Sequence, residues 1–145
     1  MMFSKSCKYA VKATLYIAKC AINNERVGLK EIADSINSPV AFTAKILQQL
    51  VKEGIIDSMK GPTGGFFIDG NKLNKVSVGH IVRAIDGEEI FIGCGLGLER
   101  CNELKPCPLH DDFVKIRMNI KTMLEQTSLK EFANELESGL TFLKR

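Results

Sequence analysis

The sequence has no apolar run approaching the roughly 18 residues of a membrane-spanning helix, so no membrane partner is expected. The opening stretch MMFSKSCKYAVK carries lysines through its apolar pattern and lacks the clean apolar centre of a signal peptide. A cytoplasmic protein is the resulting expectation. No internal repeat and no low-complexity segment is found. No Ser/His/Asp, Cys/His/Asn or cofactor-binding constellation supports an enzyme. The glycine-rich KGPTGG is not followed by Lys-Ser/Thr and a helix, as a phosphate-binding P-loop requires. What remains is 145 residues, 45% apolar and 26% charged, the make-up of one globular domain or of a small domain with an arm. Cytosolic thiols stay reduced, so the five cysteines read as ligands, sensors or core residues before disulfides.

The net charge of +3 is unevenly spread. Residues 1–75 carry 11 Lys/Arg against 6 Asp/Glu, and residues 76–145 carry 9 against 11. A basic front half is what a polyanion partner would meet, although a surplus of this size also suits a solvated surface.

Apolar spacing predicts a first helix over residues 4–22, with Cys7, Val11, Leu15, Ala18 and Ile22 on one stripe. NNER breaks it. A second helix is predicted over 29–36, with Leu29, Ile32, Ala33 and Ile36 inward. Ser38 is a candidate N-cap and Pro39 suits the first helical position. The third helix then runs to about Glu53, burying Phe42, Ile46, Leu47, Leu50 and Val51, with Gly54 as its stop. Strands over 55–59 and 66–68 flank KGPTGG, a hairpin with a glycine-rich tip. Ser77 opens a short fourth helix. Ser128 and Glu131 form a capping box for the last helix.

Helix, helix, turn, helix and hairpin is the order of a winged helix-turn-helix. The fold class expected is therefore mainly α, with a small β-hairpin wing and a long dimerisation helix. The third helix fits the major groove, about 12 Å wide, while the wing meets a neighbouring groove or the phosphates. Opposite its buried face the helix carries Ala41, Ala44, Lys45, Gln48 and Lys52, with Pro39 at its start. Small residues allow close approach, and Lys45 and Gln48 can donate to bases or phosphates. The wing offers Lys60 and the backbone N–H groups of Gly61, Gly64 and Gly65. Taken alone GPTGG is an ordinary hairpin turn; behind this helix pattern the double-stranded DNA reading is the better one.

Residues 94–110, CGLGLERCNELKPCPLH, hold Cys94, Cys101, Cys107 and His110. Three thiolates and an imidazole are a full four-ligand set for tetrahedral zinc or for an iron–sulfur cluster. Gly93, Gly95 and Gly97 let the backbone wrap an inorganic core. Small buried apolar cysteines are the alternative, which three cysteines in a Gly/Pro loop fit poorly. Cys7 reads as core, Cys20 as core or surface, and His80 as structural. Beyond the loop, Leu109, Phe113, Ile116, Ile120 and Met123 are spaced four, three, four, three, the rhythm of a coiled-coil seam. A helix packed on its own core has the same spacing; a homodimer seam is the expectation adopted. The chain divides into a winged region at 1–75, a connecting helix and cysteine loop at 76–108, and dimerisation and terminal helices at 109–145.

KYAVKATLYIA, LKEIADSINSP, ILQQLVKEGIIDSMKGPTGGFFI, VSVGHIVRAIDG, CPLH and TSLKEF together resemble the IscR/NsrR type of bacterial transcription regulators, the Rrf-two family. The likeness spans nearly the whole chain, and the KG-x-x-GGF tip is its most specific part. It implies a homodimer, often a repressor, that binds a palindromic promoter element with one cluster per subunit. Cys94, Cys101 and Cys107 match the family's cysteine ligands, and His110 matches the histidine ligand of the IscR branch. Where some members supply an acidic ligand from the first helix, this chain has Lys8, which cannot ligate while charged. The likeness therefore favours 2Fe–2S over 4Fe–4S. Members often have arginine where this chain has Lys60, a departure that weakens bidentate contact there.

Overall fold

The computed structural model describes residues 2–144. Helix α1, Lys5–Ile22, is the centre of the molecule. Ser4 caps it by accepting the Cys7 N–H at 3.0 Å. Its own N–H and hydroxyl bond Asp86, so the start of α1 is tied to a distant helix end. Cys7, Ala10, Ala13, Thr14, Leu15, Ile17, Ala18 and Cys20 are all buried. They wrap more of the helix than the single predicted stripe, because α1 is packed by neighbours on several sides. Thr14 survives burial by donating to the Ala10 carbonyl at 2.8 Å.

Helices α2, Leu29–Ser35, and α3, Val40–Lys52, form the helix-turn-helix. Ile32, Ala33, Ile46, Leu47 and Leu50 drive this pair onto α1. Each fully buried Leu or Ile contributes about 1.5–3 kcal/mol of transfer energy. The helix starts one residue later than expected. Pro39, not Ser38, sits at the cap position, and among the described residues the buried Ser38 hydroxyl has no partner. The hydroxyl that bonds there is Thr43, donating to the Pro39 carbonyl at 2.9 Å.

Ile55 and Ile56 are buried as the chain leaves α3. Strands β1, Asp57–Met59, and β2, Gly65–Phe67, then pair antiparallel with Ser58 opposite Phe66. Val27 adds a single bridge on the other side of β2 through two backbone hydrogen bonds with Phe66, at 3.0 and 2.7 Å. Two short helices were not expected from the sequence. The first, α4 at Gly70–Lys75, is capped by Asp69 and buries Leu73. The second is α6, Glu89–Ile92. Lys72 of α4 reaches Asp57 at 2.7 Å and ties the wing base down.

Helix α5, Val78–Asp86, opens with the Ser77 N–H donating to His80 Nδ1 at 3.0 Å, which gives His80 the structural role expected. Its Val78 and Val82 join Cys7, Phe91 and Leu124 in a second small core. Arg83 spans this core's edge, paired with Glu88 and Glu125 and lying 4.1 Å from the Phe91 ring centroid. Helix α7, His110–Glu125, follows the cysteine loop. Helix α8, Leu129–Glu137, is capped by Ser128 and returns Leu129 and Ala133 to the main core on α1. Among the described residues no helix is long and apolar enough to cross a membrane.

Candidate nucleic-acid interface and cysteine loop

The outer face of α3 is laid out by its buried one. Ile46, Leu47 and Leu50 turn inward, so Ala41, Lys45, Gln48 and Lys52 stand exposed, with Ala44 half-buried and Pro39 exposed at the helix start. Phe42 and Val51 are half-buried at the flanks. The predicted reading face is therefore one contiguous surface, with Val40 also exposed on it.

At the wing, Lys60 and Gly61 are exposed and Gly61 has φ +102°. Gly64 and Gly65 are glycine for reasons of packing. A Cβ on Gly64 would lie 2.1 Å from the Met59 carbonyl oxygen, and one on Gly65, at φ +131°, would lie 2.8 Å from the Val27 oxygen. Arg26 was not singled out from the sequence. It is exposed, its guanidinium carbon sits 5.1 Å from the Phe67 ring centroid, and it donates to the Thr63 carbonyl at the wing tip at 3.3 Å. It braces the tip from a residue far away in sequence, and only the Val27–Phe66 pairing brings it there.

The cysteine loop lies against α7. A Cβ on Gly95 would fall 2.4 Å from the Phe113 ring, so the loop backbone rests on that side chain. Of the four predicted ligands two are in contact, Cys101 Sγ lying 3.4 Å from His110 Nδ1. The Cys94 thiol is held below its ordinary value of 9.0, chiefly by the backbone N–H groups of Leu96 and Leu98. Among the described residues, no three His, Cys, Asp or Glu side chains are gathered closely enough to hold one metal ion. Arg117, also missed from the sequence, donates to the Gly93 carbonyl at 2.8 Å and to Cys101 Sγ at 3.1 Å. Cys7 differs sharply from the loop thiols. It is fully buried, and burial, with help from nearby Asp86, pushes it up to about 12. Cys20 is likewise buried, as one of its two predicted readings had it, and burial raises its thiol too.

The five seam positions divide between two faces. Leu109, Ile116 and Met123 are 44%, 51% and 53% exposed, seven residues apart on one open stripe. Phe113 and Ile120 are half-buried, Phe113 against the loop and Ile120 against the second core.

Residues 3–135 match the family model of Rrf2, described as iron-dependent transcriptional regulators. An HTH-type transcriptional regulator of Aquifex aeolicus, named only by class, is 30% identical over 97% of this chain and 96% of its own length. The regulator IscR of Pectobacterium atrosepticum is 26% identical over 94% of this chain and 82% of its own. Among solved structures, CymR of B. subtilis superposes with a TM-score of 0.74 at 21% identity, covering 91% of this chain and 95% of that one. IscR of T. potens gives 0.72 at 20% identity, covering 96% and 90%. These relatives are transcription regulators, not enzymes, and their common fold is the winged helix described above. The chain belongs to the Rrf2 family of transcription regulators.

Proposed function

We propose that this regulator binds a palindromic promoter element as a homodimer, and that an iron–sulfur cluster held by Cys94, Cys101, Cys107 and His110 controls that binding. The observation that carries the reading is a three-cysteine loop packed against α7 through Gly95 and Phe113, with Cys101 Sγ brought to 3.4 Å from His110 Nδ1. A binuclear cluster takes two protein ligands on each iron, whereas a structural zinc ion takes all four on one centre. Three thiolates and one imidazole can serve either, and the likeness of His110 to the histidine ligand of the IscR branch favours a 2Fe–2S centre over 4Fe–4S or zinc. When bound, the cluster supplies a centre that oxidants, nitric oxide or iron shortage can alter.

The chain's own residues do the rest. The Cys94 thiol, lowered by the amides around it, gives up its proton more easily than a free cysteine, as a ligand must. Cys101 and His110 join the loop to the first turn of α7. The exposed stripe of Leu109, Ile116 and Met123 forms the dimer seam, burying apolar surface that one chain alone leaves in water. Paired α3 helices must meet half-sites about 34–36 Å apart or a multiple of it. A change in the order of the loop moves the seam helix and so the spacing of the two readers. On α3, Lys45 and Gln48 make the base or phosphate contacts and Ala41 and Ala44 admit the backbone; Lys52, Lys60 and the wing amides hold the flanking phosphates.

A second reading rests on Cys94 itself. A partly exposed thiol held below its ordinary value also suits thiol-based sensing without a metal. Anaerobic purification followed by iron and acid-labile sulfide assays separates the two. The cluster reading expects both elements in the parent and neither in Cys101→Ala, with altered promoter binding in the variant. A variant that holds iron and binds the promoter as the parent does rules the cluster mechanism out.

A further inference from the structure

The strip of α7 that faces the loop is made of His110, Phe113 and Arg117, three, then four residues apart and therefore on one side of the helix. His110 meets Cys101, Phe113 underlies Gly95, and Arg117 spans two further points of the loop. Its two terminal nitrogens divide the work. Nη1 donates to the Gly93 carbonyl, where the chain leaves α6, and Nη2 donates to Cys101 Sγ. The two partners lie 24 and 16 residues from Arg117 in sequence. A lysine ammonium is a compact point charge and lacks the planar fork that spans both acceptors.

We infer that Arg117 is a positioning residue for the candidate cluster: it staples the entry of the cysteine loop to α7 before any cofactor arrives and sets a positive charge against a ligand sulfur. This rests on the cluster reading for its second half only, since the staple joins groups of the chain itself. Two consequences follow. Without cofactor, the loop amides between Gly93 and Cys101 are protected by the staple. With cofactor, a donor and a positive charge at sulfur favour the reduced centre, because the added electron increases the negative charge that Arg117 offsets.

The experiment uses the full chain with Arg117→Lys and Arg117→Met. In the apo protein, hydrogen exchange of amides 94–101 is expected to quicken about tenfold in Arg117→Met, and less in Arg117→Lys, with α1 and α3 unchanged as the control for folding. In the anaerobically loaded protein, a reductive titration is read by the visible spectrum, the titrant supplying the electron. The reduction equilibrium is expected to fall about tenfold in Arg117→Met, about 59 mV for one electron, with partial rescue by lysine. Unchanged exchange in apo Arg117→Met overturns the staple. An unchanged potential in a loaded variant overturns the charge role. A parent that takes up no iron sinks the cluster reading, while the apo exchange still decides the staple.

Discussion

Helix α3 has 13 residues and buries Thr43, Ile46, Leu47 and Leu50, while α7 has 16 and buries only Leu124. One helix is fixed by the core of its own chain. The other keeps a stripe of Leu109, Ile116 and Met123 open and holds the cysteine loop with His110, Phe113 and Arg117. The contrast teaches how a reader and a control element can share a small chain. In the function proposed above, the reader presents Lys45 and Gln48 rigidly, and the control element is a helix whose position depends on something added, a partner and a cofactor.

Truncation should separate the two helices most strongly. Leu47→Ala is expected to cost about 2–5 kcal/mol of stability by denaturant unfolding, because it opens a cavity in the core. Ile116→Ala in the open stripe should change the stability of the single chain by less than about 0.5 kcal/mol. Ile116→Asp should instead shift sedimentation toward monomer. Equal losses at positions 47 and 116 in a monomeric sample would erase the contrast.

The reading face comes next in size. Gln48→Ala is expected to weaken operator binding by about 1–3 kcal/mol if it contacts a base edge, with relaxed preference at that base pair. Lys52→Ala should weaken all sequences alike and reduce the salt slope by about one. Fluorescence anisotropy at several salt concentrations measures both.

The thiols give a smaller, pH-dependent test. In apo protein Cys94 is expected to react with iodoacetamide at a rate that drops only as pH falls through a value below 9.0, since its lowered value keeps thiolate at lower pH. Cys7, raised to about 12 and enclosed, should stay unmodified over the same range until the protein unfolds. Peptide mass spectrometry resolves the two sites. The smallest effect belongs to Arg26→Ala. Loss of the brace to Thr63 should loosen the wing tip and weaken operator binding by less than about 1 kcal/mol, because the contact is exposed.

Much of the reader was legible in advance, and the reason is periodicity. Stripes such as Leu29, Ile32, Ala33, Ile36 and the run Ile46, Leu47, Leu50 identify both the helix and its outward face. KGPTGG marked the hairpin because Gly64 and Gly65 are forced by close backbone contacts. Short elements carry no such signal: α4 offers one buried leucine and α6 has four residues. The start of α3 was placed one residue early because Ser38 is a favoured capping residue, whereas Pro39 takes the cap position with no side-chain cap bond. In the loop, Cys94, Cys101, Cys107 and His110 stood out by residue type. The contacts of Cys101 with His110 and Arg117 did not, because they depend on how the loop folds onto α7. Arg117 and Arg26 drew no notice, since their partners are distant in sequence and lie in segments with no period.

The most direct measurement is operator binding by the anaerobically purified chain, loaded and stripped, with iron and sulfide counted in the same samples. Loaded protein is expected to hold about two irons and two sulfides per chain, to show a visible chromophore, and to differ in operator affinity from the stripped form. Material that remains colourless and iron-free after reconstitution, or that binds the operator equally in both forms, contradicts the cluster mechanism.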